Sequence, residues 1–294
     1  MRHSIIIPVF NAEKHIGVCL QALQSQRDVD PSSYEILVVD NNSTDASAHI
    51  ARRFPGVRVF AEARQGAYAA RNCGVREARA SEALVFVDPD CQPEERWLRN
   101  LTAPLSQPGV EMVMGHSLFA GRSRAARLLE SYEMEKIRFI LESGRGELVY
   151  AYTNNLAVST DLFRRAGPFV EVLRGGDTLF ARAAVRLHGS LSFIRLAGDA
   201  RVKHHELRSV RDYVSKMYVY GRSLQANRTL DPLRRPLTIG QRLRVAVRVL
   251  RSGRSGLSDF PRLLGSLAAG MFAYQTGRLS ALAGHPARSG PPSR

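Results

Sequence analysis

Cysteine is scarce in this chain: Cys19, Cys73 and Cys91 are an odd number and form no C-x-x-C pair. That pattern excludes a disulfide framework and the usual structural zinc site, and it fits a reducing cytosol. Long apolar runs are also missing. The charge-free stretch Leu263 to Gly277 has 15 residues, broken by Gly265, Ser266 and Gly270, whereas a bilayer-spanning helix needs roughly 20. The apolar start, Ile5 to Ile7, is too short for a signal peptide, so no export signal is expected there. No G-x-G-x-x-G follows it and no Walker A sequence occurs anywhere, which removes the usual glycine cradles for a dinucleotide or a triphosphate. Acidic residues are nearly absent from the last third. Residues 1–200 carry 24 Lys/Arg against 23 Asp/Glu, while residues 201–294 carry 18 against 4.

What is present is enough for one large core. The chain has 294 residues, 44% of them hydrophobic, a size and composition that suit a globular α/β domain with at most a small appendage. Ile5–Ile7, Glu35–Asp40 and Leu84–Val87 read as buried strands and Val57–Phe60 as a short strand. Helical segments alternate with them: one carrying Ile16, Leu20 and Leu23 and capped by Asn11, one over Ala46–Phe54, and one over Gly66–Ala80. This alternation predicts a Rossmann-type, mostly parallel sheet flanked by helices. Further along, Glu94–Leu105 reads as a helix, Val110–Met114 as a strand, and Arg124–Leu141 as an amphipathic helix burying Leu128, Leu129, Tyr132, Ile137 and Leu141. A strand at Asn154–Ser159, helices at Asp161–Ala166 and Thr178–His188, strands at Leu191–Leu196 and Ala200–Lys203, and a helix at Ser209–Asn227 complete this part.

Polar side chains gather where the early strands end. Asn11, Asp40 and the pair Asp88/Asp90 should lie along one sheet edge, which is where open α/β sheets bind nucleotides. In Asp88-Pro89-Asp90 the proline fixes its own φ and biases Asp88 toward an extended conformation, so the acids sit on a stiff element. Two hard oxygen ligands beside a phosphate suit Mg²⁺ or Mn²⁺. Each acid also has a plainer reading, as a turn or helix-capping residue.

Taken together, Ser4-Ile-Ile-Ile-Pro-Val-Phe-Asn11, Val38-Val-Asp-Asn-Asn-Ser-Thr-Asp45, Gly66 with Arg71-Asn72-Cys73-Gly74, Phe86-Val-Asp-Pro-Asp90 and Gly175-Gly-Asp177 resemble the family 2 glycosyltransferases of GT-A fold, over roughly residues 4–205. The resemblance implies a metal-dependent, inverting transfer from a nucleotide-sugar donor, with a UDP-sugar favoured. It implies nucleotide contacts at Pro8, Phe10, Asp40, Arg71 and Asp88, a metal held by Asp90 and by His204 in preference to His205, and Asp177 as the general base. Members of the family often have Glu-Asp where this chain has Gly176-Asp177. The Gln-x-x-Arg-Trp signature of processive members is absent, so single additions are expected.

The basic last third completes the expectation. Leu243, Val247 and Leu250 recur among Arg242, Arg244, Arg248 and Arg251, the pattern of a basic amphipathic helix suited to an anionic membrane surface. The alternative is a helical hairpin packed on the core with a solvated arginine face. The expected organisation is a GT-A-like catalytic domain over 1–206, a helical extension over 207–284 and a disordered tail over 285–294. The enzyme would be cytoplasmic, peripheral on the inner membrane face, with a lipid-linked or cell-envelope saccharide as acceptor. Two competing readings are a sugar-nucleotide pyrophosphorylase, which would need a Gly-rich basic loop after the first strand, and a nucleic-acid-binding protein. Against the latter, the tail lacks aromatics interleaved with its arginines and any reading motif, so no nucleic-acid partner is expected.

Overall fold

The computed structural model describes residues 1–232, 235–251 and 256–283; the tail expected to be disordered, 285–294, lies outside them. The first third alternates strand and helix: β1 (His3–Val9), α1 (Ile16–Gln24), β2 (Tyr34–Asp40), α2 (Ser47–Arg52), β3 (Val57–Ala61), α3 (Ala67–Glu77) and β4 (Ala83–Val87). Then come β5 (Cys91–Pro93), α4 (Trp97–Thr102), β6 (Met112–Phe119), α5 (Arg124–Ser143), β7 (Asn155–Ser159), α6 (Thr160–Ala166), α7 (Gly176–His188) and β8 (Ile194–His204). The strands form one sheet in the order β3-β2-β1-β4-β7-β6-β8-β5. β1 lies parallel between β2 and β4, β3 continues beyond β2, and β6 is parallel to β8. β7 runs antiparallel to β4 and β6, and β5 antiparallel to β8. The sheet is therefore mixed, with its parallel half formed by the first 90 residues.

Period-two alternation along buried strands divides the core between the two faces. Ile6, Leu37 and Phe86 join Leu128, Leu129 and Tyr132 of α5 and Phe180 of α7 on one face. Ile5, Ile7, Val38 and Val85 join Leu20 and Leu23 of α1 and Trp97 of α4 on the other. β1, β2 and β4 are buried along most of their length, as continuous apolar runs require, whereas β3, at the sheet edge, is only half-buried.

Several local expectations are corrected. Pro8 does not stop β1, which continues to Val9. Pairing with β4 has ended at Ile6, while β2 stays paired through Val9, so a residue without an N–H is tolerated there. Asn11 does not cap α1: His15 occupies the cap, with no side-chain bond. Asn11 adopts φ 48° and its Oδ1 accepts from the Thr44 amide at 2.8 Å, tying two strand exits together. The two short strands expected at 191–196 and 200–203 are one long β8. Its register against β6 shifts between Gly115 and His116. Buried Asn155 bridges that irregularity: its amide donates to the carbonyls of Ala200 (2.9 Å) and His116 (3.2 Å), and its Oδ1 accepts from Trp97 Nε1 at 2.8 Å.

The basic third folds onto this body through α8 (Val210–Ala226), α9 (Ile239–Arg251) and α10 (Phe260–Leu282). On α9 the buried face is Val245, Ala246 and Val249 rather than Leu243, which is exposed. The rotation follows from Arg248, whose guanidinium reaches Glu135 and Glu142 on α5 and lies 5.2 Å from the centroid of the Phe139 ring. α10 packs on α8 through glycines. A Cβ at Gly221 would lie 2.0 Å from the Tyr274 carbonyl oxygen, and one at Gly277 would lie 2.1 Å from that of Tyr218. Among the described residues, no helix is long and apolar enough to cross a membrane.

Candidate active site

Because β1, β2 and β4 are parallel neighbours, their C-terminal ends open on one edge of the sheet. Phe10 stands there half exposed, while Pro8 is one rung inside the buried β1–β2 ladder. Asp40 ends β2, and its Oδ1 is buried with no hydrogen-bond partner among the described residues, a polar atom left available to a ligand. Next to it, buried Asn41 donates to the carbonyls of Glu62 and Arg64, both at 2.8 Å, and accepts from the Gly66 amide at 2.6 Å. These bonds fix the start of α3, and so the position of the residues on its first turns.

Arg71 and Tyr68 are both buried on α3. The Arg71 guanidinium donates to Asp88 Oδ1 at 2.5 Å and lies 5.2 Å from the Tyr68 ring centroid. Asn72, on the same helix, clamps Phe169 by two bonds, donating to its carbonyl at 2.9 Å and accepting from its amide at 3.0 Å. The clamp draws in the segment that ends at Gly175-Gly176-Asp177. Gly176 is there for space: a Cβ would fall 2.6 Å from the Val170 carbonyl oxygen and 2.9 Å from the Tyr68 ring. A side chain at this position, such as the Glu that the family resemblance led one to expect, would collide with this packing.

Asp177 lies in the first turn of α7, where its Oδ1 accepts from the Thr178 amide at 2.8 Å. Burial pushes its carboxyl above the ordinary range; the charge of Arg71, the amides of Thr178 and Thr153 and the Tyr68 hydroxyl pull it back only in part. An acid with a raised proton affinity beside a cationic side chain in a cleft is a candidate proton acceptor.

Beyond β4, the chain reverses into the short strand β5, which pairs Cys91 with His204 of β8. Asp90 Oδ2 and His204 Nδ1 are thereby 2.9 Å apart, both residues buried. Burial works against charge on Asp90, but His204 and Lys216 outweigh it and hold the carboxyl below its usual range. Asp90, Cys91 and His204 offer ligand atoms within 4.8 Å of one another. Burial drives the Cys91 thiol far up, so it stays protonated and leaves a carboxylate oxygen and an imidazole nitrogen, a donor pair that fits Mn²⁺ or Mg²⁺ completed by phosphate oxygens. His205 turns away from this pair, stacking on His15 with ring centroids 5.6 Å apart and lying 3.2 Å from Gln92 Oε1.

The structure thus joins Arg71, Asp88 and Asp177 around α3, with Asp90, two residues beyond Asp88, set against His204. It also adds residues that sequence reasoning passed over. Lys216 on α8 interacts electrostatically with Asp90 and Asp88; burial opposes its charge, but Tyr220 and these acids raise its proton affinity overall. Its signal was a single cation between Asp212 and Arg222 in an otherwise apolar and small-residue helix. Asn72 is part of the Arg71-Asn72-Cys73-Gly74 motif but without a role there, which its clamp on Phe169 supplies; Tyr68 gives no signal until Gly176 is placed against it.

Comparison with known proteins bears on the family and the fold. AglE, a glycosyltransferase of Haloferax volcanii, is 34% identical over 198 residues, covering 65% of this chain and 63% of AglE. The chain therefore spans less than two thirds of that relative. Among solved structures, the mannosyltransferase PcManGT of Pyrobaculum calidifontis in complex with GDP-Man and Mn²⁺ superposes with a TM-score of 0.61 at 20% identity, over 96% of this chain and 73% of that one. TarS 1–349 of S. aureus in complex with UDP-GlcNAc gives 0.57 at 18% identity, over 98% and 93%. At these identities the likeness is one of fold, and it is GT-A-like. Residues 4–162 match the sequence family described as glycosyl transferase family 2, and the chain belongs to that family of glycosyltransferases.

Proposed function

We propose that this enzyme moves a sugar from a nucleotide-diphosphate donor, UDP-linked in preference, to a hydroxyl of a lipid-linked or cell-envelope saccharide, one sugar per encounter. The observation that carries this reading is the convergence of Arg71, Asp88 and Asp177 from three elements beside Asp90 and His204. Phe10, Asp40, Arg71 and Asp88 hold the nucleotide, with the backbone at Pro8 shaping the floor. Asp90 and His204 hold a divalent cation, which, when bound, supplies positive charge to the departing diphosphate. Asp177 takes the proton of the acceptor hydroxyl as that oxygen bonds to the anomeric carbon and the bond to the donor diphosphate breaks. A single base opposite the leaving group gives inversion at that carbon.

In this reading residues 1–206 are the catalytic unit and 207–284 a helical extension that brings the enzyme to the inner face of an anionic membrane, with no nucleic-acid partner. Family membership favours glycosyl transfer over the pyrophosphorylase alternative. The test is a thermal-shift screen of nucleotide sugars with and without Mn²⁺. A ligand present at a hundred times its dissociation constant stabilises by about 2.7 kcal/mol, so a UDP-sugar should raise Tm only with metal present. Equal shifts without metal would count against the metal assignment, and no shift with any nucleotide sugar against the donor class.

A further inference from the structure

The outward face of α10 has no partner among the described residues. Phe272, Leu279 and Leu282 are 77%, 64% and 62% exposed. Their spacing of seven and three residues places them on one stripe of the helix. Ala268, Ala269 and Gln275 fill the same exposed surface. Between Arg262 and Leu282 the helix carries one charged residue, Arg278, which is half-buried and donates to Gln275 at 3.1 Å. A surface helix ordinarily turns charges toward water; the exposed face of this one carries none between Arg262 and Leu282.

The opposite face explains why the stripe stays outside. Gly270 lies against Tyr213, where a Cβ would come within 2.6 Å of the ring, and Gly221 and Gly277 bring the α8 and α10 backbones into contact. Rotating α10 to bury Phe272 would drive side chains into the α8 backbone. The following sequence, Gly284 to Arg294, contains no large apolar side chain to lay over the stripe.

Charge chooses the occupant. Residues 201–294 carry 18 basic against 4 acidic residues, so a second copy placed face to face would bring two strongly positive blocks together, whereas anionic headgroups complement one. We propose that the α10 stripe is a bilayer seat, with Phe272, Leu279 and Leu282 entering the boundary between headgroups and acyl chains while the net positive charge of residues 201–294 favours anionic lipid. The cleft cation Lys216 is on the helix to which α10 is locked, so this seat sets the cleft at a fixed position relative to the membrane. This deepens the reading of 207–284 as a membrane-directed extension by assigning the contact to one stripe, and it rests on the glycosyltransferase reading for its purpose, the delivery of a lipid-carried acceptor.

The test uses the full chain and vesicles of phosphatidylcholine with or without phosphatidylglycerol. Sedimentation should show binding to the anionic vesicles, and Phe272→Ser/Leu279→Ser/Leu282→Ser together should lower the partition coefficient roughly tenfold or more while leaving metal-dependent donor hydrolysis unchanged. A Phe272→Trp reporter should shift to the blue and be quenched by bromine-labelled lipid, against a constant background emission, since the only native tryptophan, Trp97, is fully buried and out of reach of lipid. Three results overturn the proposal: no binding to anionic vesicles, binding unaffected by the triple substitution, or a lipid-independent dimer by light scattering that the triple substitution abolishes. Vesicle binding without donor hydrolysis would instead count against the catalytic reading alone.

Discussion

Arg71→Met tests the connection between the two halves of the cleft. The Arg71 side chain is 5% exposed and that of its partner Asp88 is 28% exposed. Breaking a fully buried ion pair from one side costs about 3–5 kcal/mol, because a charge is left without compensation. Water reaches part of Asp88, so the expected loss here is smaller, about 2–3 kcal/mol. At about 2–4 °C per kcal/mol for chains approaching this size, that is a fall in Tm of roughly 4–12 °C. Asp88→Asn in the same background should recover part of the loss, since it removes the stranded charge. The same substitution has a second, independent effect. Arg71 lowers the proton affinity of Asp177 against the upward push of burial. Without it Asp177 holds its proton to higher pH, and the acidic limb of kcat/KM for transfer moves upward. Urea melts and a pH–rate profile measure the two effects. An unmoved acidic limb together with a stability loss below about 0.5 kcal/mol, the range of an ordinary surface substitution, would falsify the account of Arg71 as the bridge between Asp88 and Asp177.

The Asp177→Asn variant should bind donor normally and lose turnover by about 10²–10⁴-fold; near-wild-type rates would remove the base role. Because burial raises the Asp177 proton affinity, wild-type activity should decline as pH falls through that raised value. The buried charge disfavours the folded state above the same pH, so the Asn variant should be no less stable than wild type at neutral pH, and a marked drop in Tm would contradict the burial argument. With Asp90→Ala, Mn²⁺-dependent UDP binding should vanish in calorimetry; unchanged binding would place the metal elsewhere. Asn155→Ala strands the partners of two buried hydrogen bonds and one part-buried one and should cost about 2–4 kcal/mol in denaturant melts, whereas a loss under about 1 kcal/mol would mean that the β6–β8 irregularity holds without it.

The parallel half of the sheet was legible because Ile5–Ile7, Ile36–Val39 and Leu84–Val87 are buried on both faces, and such strands show as unbroken apolar runs. The acids at their ends were legible for the same reason, since a charge directly after such a run has to leave the core. Other features depend on contacts made far along the chain. Asn11 has the chemistry of a helix cap, and only the nearness of Thr44 on the neighbouring strand exit gives it a different partner. β8 read as two strands because Gly198 and Asp199 interrupt its apolar pattern; the Asn155 bridge that carries the ladder past them involves Ala200, His116 and Trp97, which no local pattern relates. Gly176 looked like a lost acidic contact and is instead the space that Tyr68 needs. Lys216 had no motif around it, and its place beside Asp90 follows from how α8 returns over the sheet edge.

The Cys91–His204 rung has a consequence for how the protein can change. Asp90 and His204 are far apart in sequence, yet a single backbone ladder registers them, so their separation does not depend on the length of anything looped out between them. Whole connectors, or a guest module, could be lengthened or exchanged in that interval while the two donors keep their spacing. Slipping β8 against β5 by one position would do the opposite: it would turn His204 to the other side of the sheet and undo the pair without altering a single amino acid of it.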